Sequence, residues 1–249
     1  VNTITDYSQP ILFDGFMANR SKKKIWVMYA FKFENETGSY IVPGRCAELD
    51  HNYGLTAFDF RCQTVPNGTY KVYPIYRDME NGEWHYPSTN PKDGTPTIKV
   101  DVPVSYIYNA QDLVAYREQV EKGINGCAII MNDIDMSEVC GQAKGNWTPI
   151  GSTAAPFKGR VIGNGHVISN LYIRNTKPYQ GLFGAIGDGA YITGITLDNT
   201  CNIRGGSYVG GIAGGSNIGG FVTITNCGNE GTIYATQQNG GGIIGCSNG

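Results

Sequence analysis

The chain of 249 residues lacks several features that would assign it to a common class of protein. It has no apolar run near the roughly 18 residues of a membrane-spanning helix, so the sequence predicts no transmembrane segment. Its net charge is −2, and its densest basic run, Lys22 to Lys24, is typical of a solvated turn. This charge balance gives no electrostatic reason to expect nucleic acid or an anionic membrane as a partner.

Metal-binding spacings are also missing, because the seven cysteines form no Cys-x-x-Cys and no Cys/His pair at ligand distance. The sequence therefore predicts no metal site and no cofactor. Cys46 and Cys62 could form a disulfide bridge, an option that the sequence leaves open. Cys201, Cys227 and Cys246 occupy repeat positions that favour small apolar side chains, where we expect free thiols to pack as small hydrophobes.

Glycine and charge are distributed unevenly along the chain. Residues 151–249 hold 24 of the 35 glycines but only 8 of the 40 charged residues. This shift predicts two domains, 1–103 and 104–249, with the boundary near Val102 and Pro103. The chain starts at Val1 without a leader peptide, and it stops just after a repeat has opened. We therefore expect that any signal peptide has been removed and that the chain is truncated at its C-terminus.

The back half is organised by a tetrapeptide with glycine at both ends, whose three copies begin 30 and 31 residues apart. The copies occupy residues 181–184, 211–214 and 242–245. Between them, apolar and small residues alternate, as in residues 192–197, and this period of two is typical of short strands. A fixed period of this length predicts stacked repeats that bury one another, so the fold class is all-β with a β-solenoid in 104–249.

One amphipathic helix is predicted at 109–122, in front of the solenoid. Asn109 can cap its first turn, Gly123 can end it, and Leu113, Tyr116 and Val120 form its apolar stripe. An open solenoid end would expose a sheet edge and apolar side chains. We expect the helix to cover that end as an N-terminal cap.

The front half, 1–103, alternates between apolar and polar residues without a helical period. Predicted strands are 24–33, 55–60, 69–77, 84–86 and 97–102. Several short strands separated by turn signals predict an immunoglobulin-like or fibronectin-like β-sandwich. Pro74 lies in mid-strand and cannot donate to a ladder, which predicts an edge position or a bulge there.

The back half resembles the GLUG-repeat proteins of bacterial surfaces and secretions. The resemblance covers about 105–249 and is carried by four spaced motifs: 133–136 (Asp-Ile-Asp-Met), 147–151 (Trp-Thr-Pro-Ile-Gly), 157–173 and 181–184. It implies a right-handed parallel β-helix in an extracellular adhesin, or in the non-catalytic arm of a larger secreted enzyme, often from gut Bacteroidetes. In this pattern His166 is a structural residue.

Two sets of residues are candidate ligand sites. Asp133 and Asp135 stand two apart, which in a strand places both carboxylates on one face, as an acid pair or half of a cation site. The alternative is that both are polar corner residues that face water or bond to backbone. In the front half, Trp84 and Tyr86 lie near Tyr73 and Tyr76 and could form a sugar-binding platform, although Tyr73 and Tyr76 have opposite strand parity unless Pro74 makes a bulge.

These patterns favour a non-catalytic adhesin-like protein of the cell surface or the extracellular space. Its expected partner is a host or environmental glycan or a surface protein. Two alternatives remain open: a polysaccharide lyase or hydrolase on the β-helix, and an accessory module of a secreted peptidase. A lyase also needs a basic residue beside its carboxylates, and in the sequence Arg160 and Arg174 are isolated.

Overall fold

A computed structural model describes residues 2–17, 24–49, 55–85, 96–216 and 221–247. The chain forms two compact units, Val1–Val102 and Pro103–Gly249, here called the front unit and the solenoid unit. Nearly all of the regular structure is β, with one α-helix among the described residues. The predicted all-β class and the β-solenoid of the back half are confirmed.

The described residues of the front unit form eight strands: β1 (Asn2–Ile4), β2 (Ile11–Met17), β3 (Ile25–Asn35), β4 (Gly38–Leu49), β5 (Leu55–Phe60), β6 (Gly68–Asp78), β7 (Trp84–His85) and β8 (Thr97–Val100). A six-stranded sheet has the order β1-β8-β6-β3-β4, with β7 on β6, and β2 pairs with β5 in a second sheet. Strands β1, β2 and β4 were not predicted from the sequence.

Aromatic rings fill the core of the front unit. Phe60 of β5 stacks on Phe31 of β3 with ring centroids 3.9 Å apart, and Phe33 meets both Phe60 and Tyr70 edge to face. Such pairs stabilise a core beyond the apolar area that they bury. The immunoglobulin-like arrangement of these sheets stays a prediction.

The environment of Pro74 differs in part from the expectation. Its strand, β6, lies inside the sheet and pairs with β3 without a register shift, so the strand is not an edge strand and has no bulge at this pairing. On the other side, β8 pairs with residues 68–71 and β7 with residues 76 and 77. Pro74 falls in the gap between these two partners. The missing N–H of proline is therefore tolerated at a local edge.

The solenoid unit contains α1 (Ala110–Glu121), a short 3₁₀ helix (Met136–Glu138) and seventeen strands. The strands are β9 (Val104–Ile107), β10 (Cys127–Ile130), β11 (Ile134–Asp135), β12 (Arg160–Ile162), β13 (Val167–Ser169), β14 (Tyr172–Arg174), β15 (Phe183–Ile186), β16 (Tyr191–Thr193), β17 (Thr196–Leu197), β18 (Asn202–Gly205), β19 (Val209–Gly210), β20 (Ala213–Ser216), β21 (Thr223–Thr225), β22 (Gly228–Asn229), β23 (Thr232–Ala235), β24 (Gly240–Gly241) and β25 (Ile244–Cys246).

All strand pairs of the solenoid unit are parallel, and each strand pairs with its counterpart in the next turn of the chain. The longest sheet runs β21-β16-β12-β10-β9, and the others run β11-β13-β17-β22, β14-β18-β23, β15-β20-β25 and β19-β24. About four turns are stacked. One turn is called a rung below. The first strand of the stack is β9, which was not predicted from the sequence.

The helix forms where the sequence predicts it. Asn109 caps it by accepting hydrogen bonds from the N–H groups of Gln111 and Asp112. The buried side chains of α1 include Leu113 and Tyr116, which belong to the same apolar core as the inner strands of the solenoid. The Tyr116 hydroxyl donates to the Gly126 carbonyl at 3.3 Å. The helix thus covers apolar surface at the beginning of the stack.

Close backbone contacts between rungs explain five of the six glycines that frame the tetrapeptides, all but Gly242. A Cβ on Gly214 would lie 2.6 Å from the Cα and carbonyl carbon of Tyr179. A Cβ on Gly211 would lie 2.5 Å from the Gly242 carbonyl oxygen in the next rung. Only glycine leaves room for these approaches. The two central residues of each tetrapeptide are apolar, and in the second copy Ile212 and Ala213 are fully buried.

Candidate functional site

The carboxylate of Asp133 lies at a corner of the solenoid, just before β11. It accepts a hydrogen bond from the Val167 N–H at 2.9 Å and lies 3.0 Å from Nδ1 of His166. The backbone bond, then the His166 bond, lowers the pKa of Asp133. The side chain is 72% exposed. This carboxylate therefore ties one rung to the next while still facing water.

Asp135 serves a second corner. Its carboxylate accepts from the Ser137 N–H at 2.9 Å and from Nδ2 of Asn170 in the next rung at 2.8 Å. The Ser137 backbone bond, followed by the Asn170 bond, lowers the pKa of Asp135. Each predicted acid thus has its own set of partners. Separate partners are what we expect of polar corner residues, the alternative to an acid pair. His166 acts here as a hydrogen-bonding residue.

No cluster of metal ligands is found among the side chains that the structure describes. Within the described ranges, three or more His, Cys, Asp or Glu side chains do not come together as a possible metal site. None of the seven cysteines, all of which lie among the described residues, forms a disulfide, so Cys46 and Cys62 are not bridged. Cys201 is fully buried as expected, whereas Cys227 and Cys246 are half-buried.

The aromatic residues of the front unit are divided between two faces of the sheet. Trp84 pairs with Arg77, whose guanidinium carbon lies 6.0 Å from the ring centroid. Tyr76 stacks on His85 with centroids 4.8 Å apart, on the other face. The continuous β3–β6 register keeps Tyr73 and Tyr76 on opposite faces. Tyr86 lies outside the described residues.

A different set of side chains forms columns on the outside of the solenoid unit. The guanidinium of Arg160 lies 5.5 Å from the ring of Tyr191 in the next rung, and that of Arg204 lies 5.1 Å from the ring of Tyr234. These separations are in the range of cation–π contacts. Tyr179 and Tyr208, from consecutive rungs, stack with centroids 4.8 Å apart.

Arg160 and Arg204 therefore each have an aromatic neighbour in the next rung, which was not predicted from the sequence. Arg174 is in register with Arg204, which is in register with Tyr234, because parallel rungs bring residues 30 positions apart side by side. The signal was present in the sequence as this 30-residue interval. It was missed because the period was applied to apolar and glycine positions alone.

Comparison with known proteins leaves the family open. No protein-family model matches the chain, and no solved structure matches it. Over 69 residues the chain is 35% identical to a protein of Evansella cellulosilytica named "Putative Gly-rich membrane protein". The match covers 27% of this chain and 8% of that protein. Among the described residues, no helix is long and apolar enough to cross a membrane.

Proposed function

We propose that this chain is a non-catalytic, adhesin-like protein that binds glycans or surface proteins through the outer faces of its solenoid. The observation that carries the proposal is the set of arginine and tyrosine columns. The pairs Arg160–Tyr191 and Arg204–Tyr234 each join two rungs, and Tyr179 stacks on Tyr208.

These columns have the chemistry of a binding surface. Tyrosine and arginine are enriched where proteins bind partners, because each combines a flat apolar area with hydrogen-bonding groups. The side chains stand on strands, and the backbone ladder fixes the spacing between them. A ligand therefore meets groups that are already ordered, which reduces the entropy lost on binding.

Several finer features belong to the same proposal. The solenoid is a right-handed helix of the GLUG-repeat kind, and the front unit is an immunoglobulin-like sandwich. The protein acts outside the cell or on its surface, in a bacterium of the Bacteroidetes group. The partial similarity to a protein named as a membrane protein supports an envelope location. Trp84, together with Tyr86 as predicted from the sequence, is a second candidate for ligand contact.

A binding screen of the full chain tests this proposal. The chain is applied to an array of neutral and acidic glycans and to an array of extracellular matrix proteins. We expect saturable binding that survives the double change Asp133→Asn and Asp135→Asn, because neither corner acid belongs to the columns. No binding on either array would contradict the proposal. Release of reducing or unsaturated sugars, lost in the same variant, would instead establish the polysaccharide lyase or hydrolase.

A further inference from the structure

We propose that the column Arg174–Arg204–Tyr234 binds an acidic polysaccharide, a chain of pyranose rings that carry carboxylate or sulfate groups. The inference rests on the proposed function and names its ligand class. The three residues belong to β14, β18 and β23, which form one parallel sheet with residues 174, 204 and 234 in register. All three side chains are exposed.

The register is fixed by backbone contacts on both sides of Arg174. Its N–H donates to Oδ1 of Asn146 at 2.6 Å, and Nδ2 of Asn146 donates to its carbonyl at 3.3 Å. On the other side, the Asn175 N–H donates to the Arg204 carbonyl at 3.1 Å. The inward residues Ile173 and Ile203 are fully buried. Because strand residues alternate between faces, both arginines are held on the outer face.

Arg174 and Arg204 thus occupy adjacent positions of one sheet, and among the described residues neither has an acidic partner. Strands β14, β18 and β23 contain no acidic residue. Within the part of the chain that the structure describes, neither Arg174 nor Arg204 forms an ion pair. Adjacent like charges on a sheet are destabilising. An anion bound between the two guanidinium groups would remove this repulsion.

Guanidinium groups bind carboxylate and sulfate well, because their planar N–H donors form two parallel hydrogen bonds to the oxygens of such a group. The ring of Tyr234, 5.1 Å from the Arg204 guanidinium carbon, adds a flat apolar surface at one end of the column. Because Tyr234 is 55% exposed, a pyranose ring can stack on the face that Arg204 leaves uncovered, while neighbouring sugars present their anionic groups to the arginines.

The spacing favours a polysaccharide over an acidic peptide. Adjacent strands lie about 4.8 Å apart, which is close to the length of one pyranose residue in an extended chain. An extended peptide presents same-face side chains about 6.6 Å apart, so its side chains would not match the spacing of the column residues. A polysaccharide laid along the solenoid axis meets one column residue per sugar.

Affinity electrophoresis of the full chain tests the inference. Native gels contain polygalacturonate as the carboxylate probe, dextran sulfate as the sulfate probe, neutral dextran, or poly-L-glutamate as the peptide probe. We expect retardation by at least one acidic polysaccharide and none by dextran. The double variant R174Q/R204Q should bind at least about tenfold more weakly, since each charged hydrogen-bonding group contributes more than the free energy of one tenfold step.

Two further variants separate the column from bulk charge. K71Q/K122Q also removes two exposed positive charges, in the front unit and at the end of α1, and should bind like the wild type. R174K/R204K keeps the charge but loses the planar donors, and should bind more weakly than the wild type. Thermal unfolding of each variant, followed by circular dichroism, checks that the fold is intact.

The outcomes are distinct. Retention by polygalacturonate alone identifies a uronate ligand, and retention by dextran sulfate alone a sulfated one; either supports the column. The inference would be overturned if R174Q/R204Q and K71Q/K122Q lost equal affinity for the acidic polysaccharides. It would also be overturned if the wild type bound poly-L-glutamate more tightly than either acidic polysaccharide. If the wild type binds only neutral glycans or proteins on the arrays, the inference that the column binds an acidic polysaccharide is wrong, but the proposed function stands. If the wild type binds nothing on any array, both the inference and the proposed function are contradicted.

Discussion

Two rungs of the solenoid carry the same sequence pattern in different surroundings. The central rung, residues 191–216, has a described rung on both sides, and the last described rung, residues 223–246, contacts one. Ile203 of the central rung is fully buried, whereas its counterpart Ile233 is half-buried. A repeat therefore specifies the shape of one rung, while its neighbours supply most of the burial that stabilises it.

The largest expected effect comes from removing the same side chain in each rung. Ile203→Ala should cost about 2–5 kcal/mol of unfolding free energy, because it leaves a cavity in a closed core. Ile233→Ala should cost clearly less, because its site is already partly open to water. Urea unfolding followed by circular dichroism measures both. Equal costs would show that the two rungs are equally enclosed.

Glycine replacement gives the next largest contrast. Gly214→Ala should destabilise the chain by about 1–3 kcal/mol, because its Cβ meets the Tyr179 backbone in a packed region. Gly242→Ala should be close to neutral, since nothing lies within 4 Å of a Cβ at that position. The same unfolding measurement compares them. A tolerated Gly214→Ala would refute the close contact between rungs.

A smaller effect is expected from pH. The pKa values of Asp133 and Asp135 are lowered from 3.8 by hydrogen bonds that the unfolded chain lacks. A lowered folded-state pKa adds stability above pH 3.8 that is lost as the pH falls through the lowered value. The melting temperature should therefore decrease in this acid range. Asp133→Asn and Asp135→Asn together should make this decrease smaller. If the double variant shows the same dependence of melting temperature on pH as the wild type, the hydrogen bonds of the two corner carboxylates do not contribute to stability.

The smallest contrast concerns thiol reactivity rather than stability. Burial raises the pKa of the Cys201 thiol to about 11, and the thiol is fully buried in the central rung. Cys227 is half-buried. Because thiolate is the reactive form, iodoacetamide at pH 8 should modify Cys227 before Cys201. Peptide mapping over time measures the order, and faster labelling of Cys201 would indicate that the central rung opens.

Sequence reasoning succeeded where a local pattern decides the structure. The 30-residue period identified the rungs, and the Asn109 cap with its apolar stripe identified α1. In the front unit, β4 was missed because Pro43, Gly44 and Arg45 interrupt its alternation; the register with β3 shifts there, between the pairs Met28–Cys46 and Ala30–Pro43, and pairing continues on both sides. Long-range pairing overrides weak local preference there.

The arginine and tyrosine columns were missed for a related reason. Arg174 and Arg204 are unremarkable surface residues when each is considered alone, and only the parallel register makes them neighbours. The corner acids were recognised, but their partners Val167 and Asn170 depend on how one rung sits on the next. Contacts of this kind come from the stack rather than from any single segment.

The central claim is the register between rungs, since every column depends on it. It is tested most directly by the double variant Asn202→Cys with Thr232→Cys, an exposed pair in register on β18 and β23. In-register positions lie about 4.8 Å apart, within disulfide range, whereas Tyr172→Cys with Thr232→Cys spans two rungs, about 9.6 Å, and lies beyond it. After mild oxidation of the native chain, peptide mapping should find the 202–232 disulfide and no 172–232 disulfide. Equal formation of both, or formation of neither, would contradict the account.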